Sequence, residues 1–187
     1  SGTGSQCTMF SVISNPDTNQ KPGMGSPHIL PRLALIDPEL MMTAPPRLTA
    51  NTGLDVFCHA LEAYTSTLAS PMSDMYAEKA LTLLGTHLSA CVKNGDDIEA
   101  RSGMALADTC AGVAICNAIV SLAHSMAHVI SGHYHDISHG DALFSIYPGV
   151  LKLNATVEVE KHRFAASALE SVATTFARRL RHFSQPC

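Results

Sequence analysis

Asp55 and His59 stand four residues apart in a stretch of helical character, so a carboxylate and an imidazole share one face, one turn apart. Such a pair can grip a single metal ion from two sides. Glu62 falls on the same face, where its carboxylate can steady a ligand by a hydrogen bond. A second cluster adds to the first: of 10 histidines, five fall between His124 and His139. His124 and His128 are again four apart on one helix, and His133, His135 and His139 follow. Residues 111–123, just ahead of them, are nearly all of buried type. An imidazole leaving so apolar a helix needs a hydrogen bond or a metal to offset its burial. Ligation by at least two of these five is therefore expected. One carboxylate with two or three imidazoles suits Fe2+, Zn2+ or another borderline divalent ion, whereas Mg2+ and Ca2+ favour oxygen alone. With a coordination position left open, such an ion can polarise a carbonyl or lower the pKa of an alcohol.

Helices must carry these groups, and the sequence marks them out. Leu54, Phe57, Cys58, Leu61 and Tyr64 recur at helical period, predicting a helix capped by Thr49 or Asn51 that runs to about Thr67. Pro71 and Ser73 open a second, which Asn94-Gly95 stops. Further helices are expected over about 97–117 and 119–130. A polar, His-rich connection over 131–140 leads to a helix at 141–153, bent or stopped near Pro148. The tail, 158–183, has helical composition and a basic end at Arg178, Arg179 and Arg181. Ahead of the helices, 6–14 reads as a strand, 15–19 as a turn, and 21–32 as a loop. Residues 33–37 read as a short buried strand ended by Pro38. The fold class is mainly α: a short β-containing segment, 1–47, then an α-helical domain, 48–187.

Composition bounds the function. The chain of 187 residues is 46% hydrophobic, enough for a sizeable core. Charged residues are only 15% and aromatics 5%, which suggests that another domain or subunit covers part of the surface. With a net charge of -4 and no basic stripe, nucleic acid is not an expected partner. No apolar run approaches the length of a membrane span and no signal peptide is evident, so a cytoplasmic protein is expected. None of the six cysteines forms a Cys-x-x-Cys pair, which argues against a structural zinc site and for reduced thiols. Cys58, Cys91, Cys110 and Cys116 read as small core residues. Gly2-Thr3-Gly4-Ser5 can bring backbone N–H groups close to a phosphate or a ribose.

Taken together, the motifs resemble the iron-containing alcohol dehydrogenase family, which shares the dehydroquinate synthase-like fold. Gly2-Thr-Gly-Ser-Gln-Cys-Thr8 is similar to the family's Gly-Thr-Gly-Ser-Glu-x-Thr loop. Leu30-Pro-Arg-Leu-Ala-Leu-Ile-Asp-Pro-Glu-Leu40 and Pro45-Pro-Arg-Leu-Thr-Ala50 follow in the family's order. Thr52-Gly-Leu-Asp-Val-Phe-Cys-His-Ala-Leu-Glu-Ala-Tyr64 resembles its first metal helix, and Asn94-Gly and Glu99-Ala-Arg101 also match. His124-Ser-Met-Ala-His128 and Ile137-Ser-His139-Gly resemble its second metal segment. The likeness covers about residues 1–154 and fades beyond.

The resemblance implies a metal site of Asp55, His59, His124 and His139, holding Fe2+ or alternatively Zn2+. It implies that His128 sits beside the metal as a proton relay without binding it. It implies that Gly2, Thr3, Gly4, Thr8 and Lys21 lie against NAD or NADP. The expected reaction is hydride transfer between a small alcohol or aldehyde and the nicotinamide. Several departures stand out. The family's nucleotide-binding domain, with its Gly-Gly-Gly-Ser phosphate loop, is absent from the sequence. Gln6 replaces the Glu of the first loop. The stretch from His124 to His139 is one residue longer than usual, and Ser138 replaces a common Pro. A homo-oligomer, or pairing with a nucleotide-binding domain, is therefore expected. The competing readings are a non-catalytic metal-binding helical module and a relative of glycerol dehydrogenase or dehydroquinate synthase.

Overall fold

The computed structural model describes residues 3–170. The chain enters through a 3-10 turn at Ser5–Cys7 and a hairpin of β1 (Phe10–Val12) and β2 (Gly23–Gly25), antiparallel with Phe10 opposite Gly25. Two further 3-10 turns, Pro27–Ile29 and Pro38–Met41, lead to the helices. These are α1 (Pro46–Tyr64), α2 (Pro71–Lys93), α3 (Ile98–Ala118), α4 (Leu122–His133), α5 (His139–Asn154) and α6 (Val159–Ala168).

Local signals account for most of the helix starts. A capping box of Ser70 and Ser73, with Pro71 in the first turn, opens α2. The Asp97 side chain accepts from Ala100 N at the start of α3. Ser138 does the same for α5 by accepting from Asp141 N. α1 begins earlier than expected, at Pro46, with no side-chain cap; Thr49 lies inside the helix and accepts instead from Arg101. α3 stops where Ile119 takes a φ of 62°, and the turn that follows delays α4 to Leu122.

α1 is the central helix. Every residue from 53 to 64 is buried, against α2 and α3 on one side and α5 on another. Alanines of α3, among them Ala107, Ala111 and Ala114, let the helices approach closely, and Leu81, Leu84 and Leu88 of α2 fill the space between. A helix apolar all round is a buried helix. Three of the buried residues, Asp55, His59 and Glu62, are nevertheless polar, and their needs organise the site. No single described helix is long and apolar enough to cross a membrane.

Several expectations change. The strand at 6–14 shrinks to Phe10–Val12, because the chain curls at Gly4, where Cys7 N donates to Gly4 O. Its partner, β2, falls in the expected loop. Residues 33–37 are not a buried strand: no described strand lies beside them, and Leu33 and Leu35 are 76% and 86% exposed. α5 starts at His139 rather than 141, and Pro148 lies within it, held by the buried Leu143, Tyr147 and Val150. Cys58, Cys91 and Cys110 are core residues, but Cys116 is only partly buried. Of the expected tail helix, Val159–Ala168 is described. Gly2 and the basic end at Arg178, Arg179 and Arg181 lie outside the described residues.

Candidate metal centre

Asp55 and His59 occupy successive turns of α1, and α4 and α5 bring His124 and His139 over them. Three imidazoles turn their Nε2 atoms toward one oxygen, Asp55 Oδ1: His124 at 3.2 Å, His139 at 3.6 Å and His59 at 3.7 Å. The His59 and His124 rings stack with centroids 4.4 Å apart, and His139 stands 5.4 Å from His124. The ligand atoms of Asp55, His124 and His139 all lie within 4.8 Å of one another. Gly140 permits this convergence: a Cβ there would lie 2.7 Å from Asn51 Cβ, so any larger residue would push α5 away from α1. Asn51 Nδ2 ties the two helices by donating to Ser138 Oγ and Asp141 Oδ1.

The charges fit a cation. Burial alone would raise the Asp55 pKa, but His59, His124 and His139 outweigh it and hold the carboxyl ionised far below its usual range. His124 bridges two carboxylates, donating from Nε2 to Asp55 and from Nδ1 to Glu62 Oε1 at 3.1 Å. Burial opposes its charge, yet the two hydrogen bonds win and lift its pKa to about 9. Glu62 is held in turn by Ser121, whose N–H and hydroxyl both donate to Oε2. His59 is the opposite case: burial dominates and pushes its pKa down to about 4. His59 and His139 each keep a buried Nδ1 with no hydrogen-bond partner, and their Nε2 atoms stand farther from Asp55 than a normal hydrogen bond. Imidazoles whose buried ring nitrogens are left this poorly satisfied by protein groups fit a divalent ion, and the N3O donor set suits Fe2+ or Zn2+.

His128 stands aside from the four. Its ring centroid lies 5.3 Å from that of His139 and 6.3 Å from that of His124. It lines a pocket of about 410 Å³ together with Asn19, Gln20, Lys21 and His133. Burial, then the neighbouring His139, His124 and Lys21, push its pKa down to about 4, so the ring is neutral at pH 7. Lys21 Nζ donates to Ser131 Oγ at 3.2 Å. Of the loop histidines, only His139 joins the centre. His133 meets the carbonyl of Val129 in its own helix, and His135 pairs with Asn19.

The Gly-rich loop is anchored to α3. Gly4, at φ 63°, packs so close that a Cβ would lie 2.7 Å from Gly112 Cα. Gly4 N donates to Asp108 Oδ1 at 2.8 Å, and Gln6 Nε2 donates to Asp108 Oδ2 at 2.8 Å. An amide at position 6 thus serves a carboxylate that a Glu there would repel. Thr3 is exposed, with its hydroxyl donating to Ser5, and Thr8 is buried. Sequence reasoning missed Ser121, Ser131 and Asp108, and it read Asn51 only as a candidate helix cap rather than as the tie between α1 and α5. The Ser138…Asp141 spacing was a legible cap signal for α5 and so for the placement of His139.

Residues 49–185 match the model of the Fe-containing alcohol dehydrogenase family, C-terminal part. The chain is 41% identical over 168 residues to 1-propanol dehydrogenase PduQ of Salmonella typhimurium, covering 90% of this chain and 45% of that one. It is 38% identical over 175 residues to the NADPH-dependent butanol dehydrogenase of Clostridium saccharobutylicum, covering 94% and 44%. The iron-containing alcohol dehydrogenase structure from Thermotoga maritima superposes with a TM-score of 0.84 at 28% identity, over 95% of this chain and 48% of that one. A helical domain with this fold and this sequence likeness belongs to the iron-containing alcohol dehydrogenase family, as its C-terminal part. The chain spans about half the length of the curated relatives it matches.

Proposed function

We propose that this chain is the metal-binding half of a metal-dependent alcohol dehydrogenase, acting on a small alcohol or aldehyde with NAD or NADP. One observation carries the reading: three imidazole Nε2 atoms from three helices gather on a single buried Asp55 oxygen. Asp55, His59, His124 and His139 would hold the ion, Fe2+ or alternatively Zn2+. When bound, the ion supplies Lewis-acid polarisation of the substrate oxygen. Glu62 fixes the His124 ring through Nδ1, leaving Nε2 aimed at the centre. Neutral His128, half-buried at the edge of the pocket, is placed to accept a proton at a ring nitrogen. Lys21, anchored by Ser131, and the loop of Gly2, Thr3, Gly4 and Thr8 are assigned to the dinucleotide. That assignment draws support from the loop's fixed seat on Asp108 and from the NADPH dependence in the name of the butanol dehydrogenase.

A complete enzyme needs a nucleotide-binding half, met within one chain or by pairing, and a homo-oligomer is compatible with it. The described cysteines are all free, which supports a reducing, cytoplasmic setting. The test is steady-state oxidation of 1-propanol and 1-butanol by the Fe2+-loaded chain, alone and with the N-terminal half of the Salmonella relative. Turnover only in the mixture supports the reading. A mixture whose halves associate, loaded with metal and nucleotide yet inert toward every short alcohol, would instead favour a non-catalytic metal-binding module.

A further inference from the structure

His139 is carried differently from the other three ligands. It is the first residue of α5, and the connection before it, residues 134–138, is largely exposed. Its side chain is 24% exposed, against 8% for Asp55 and His59 and 3% for His124. The buried length of α1 fixes Asp55 and His59, and Glu62 fixes His124. The His139 ring has no such hold, because its Nδ1 is buried without a hydrogen-bond partner. Its helix end is held instead by a ring of polar groups around Asn51 of α1. Asn51 Nδ2 directs its two N–H groups at α5 and its cap, one to Ser138 Oγ at 3.2 Å and one to Asp141 Oδ1 at 3.1 Å. Ser138 Oγ donates to Asp141 Oδ2 at 2.7 Å and accepts from Asp141 N at 3.2 Å. Arg47 Nη2, also on α1, donates to Asp141 Oδ2 at 3.0 Å.

We propose that Asn51 is a positioning residue whose side-chain amide keeps His139 among the ligands and so sets how fast the ion is released. This rests on the reading that Asp55, His59, His124 and His139 hold an ion. An ion gripped by four side chains loses them one at a time, and the ligand on the most open and least anchored element goes first. Asn51 lies one turn ahead of Asp55 on the same helix, so α1 carries both the carboxylate at the centre and the tie to its outermost ligand. The seat is close: a Cβ at Gly140 would stand 2.7 Å from Asn51 Cβ and 3.0 Å from Asn51 O. The Arg47 side chain is 71% exposed, so its ion pair adds little and the amide carries the tie. Both groups that position 51 meets are acceptors, since Ser138 has placed its hydroxyl proton on Asp141. Only a double donor satisfies them together, and a carboxylate there would face that of Asp141 across the 3.1 Å now spanned by a hydrogen bond.

The experiment loads the 187-residue chain with Zn2+ and follows its release into excess chromophoric chelator by stopped flow. Asn51→Asp keeps the size of the side chain and its Cβ against Gly140 but turns a donor into an acceptor. It should release Zn2+ about tenfold or more faster than the unaltered chain. Asn51→Ala removes the donor without adding charge and should also release faster, which covers the case of an acidic variant that fails to fold. Asn51→Asp combined with Asp141→Asn sets a donor opposite an acceptor again, and Arg47, one turn from position 51, can serve the moved carboxylate. Its release rate should return to within about threefold of the unaltered chain. In the metal-free chain the Asp141 amide, which donates to Ser138 Oγ, should exchange faster in Asn51→Asp and slow again in the double variant. Release at the unaltered rate from both single variants overturns the proposal. A double variant as fast as Asn51→Asp also overturns it, leaving Asn51 a packing role alone. A failure of the metal reading looks different and takes the proposal with it: the unaltered chain would hold no Zn2+, while amide exchange still separated the variants.

Discussion

Glu62→Gln tests how the centre is tuned from one layer out. Glu62 Oε1 accepts from His124 Nδ1 at 3.1 Å, while Oε2 accepts from the Ser121 N–H and, at 2.9 Å, from its hydroxyl. Glutamine keeps the shape but offers one acceptor and one NH2 group. If its oxygen stays on Ser121, the NH2 faces His124 Nδ1, which must give up its proton. The remaining ring proton then sits on Nε2, the nitrogen aimed at Asp55. If the amide turns round, its NH2 meets the two Ser121 donors and buried N–H groups are left without acceptors. Either way a metal must bind against the wrong tautomer or a strained helix start, and loss of such a partner costs about 10–100-fold in affinity. Competition for Zn2+ against a chromophoric chelator at pH 7.5 measures this, with thermal melts of the metal-free chain as a folding control. The expected result is one ion per chain, bound about 10–100-fold more weakly. A dissociation constant within about threefold of the unaltered chain would refute the reasoning.

In the metal-free chain His124 has its pKa raised to about 9, so a metal ion must displace its proton. Zn2+ affinity should climb about tenfold per pH unit from pH 7 to 9, and calorimetry in buffers of different ionisation enthalpy should find about one proton released at pH 7.5. The same group makes stability pH-dependent: its contribution is full below its unfolded pKa of about 6.5 and fades as pH rises through 9, which denaturant titrations of the metal-free chain can follow. Gln6→Glu would set a carboxyl 2.8 Å from Asp108, whose pKa burial already raises. Melting should fall by several degrees at pH 8 and recover toward pH 5, where the pair shares a proton, as scanning calorimetry would show. His128→Ala should keep the metal and slow turnover by about 10²-fold or more in a complete enzyme, whereas His124→Ala should lose the metal. Metal analysis and steady-state rates separate the two.

Helical periodicity made the first half of the centre legible, because a spacing of four fixes Asp55 and His59 on one face whatever surrounds them. The apolar helix marked His124 and His128 together as imidazoles in need of a partner, and only the family resemblance chose His124 between them. His139 was not separable from His133 and His135 by spacing, since loop residues have no fixed period, and only the family resemblance singled it out. The Ser138 cap that places His139 at the first turn of α5 was present in the sequence but not used, and the helix was expected two residues late, from Asp141. The Asp108 anchor joins residues 102 and 104 positions apart, a distance over which no local pattern speaks. Residues 33–37 show a different gap. Their apolar run was read as a buried strand, but burial needs a partner, and among the described residues none is present.

The central claim is the ligand set, and metal content after dialysis tests it most directly. The chain, loaded anaerobically with Fe2+ or with Zn2+ and dialysed, should retain one ion. His59→Ala and His139→Ala should each retain less than about a tenth of that. His133→Ala and His135→Ala, altered in exposed rings that face Val129 and Asn19, should retain it in full. One-to-one metal in His59→Ala or His139→Ala, or its loss in His133→Ala, would contradict the assignment.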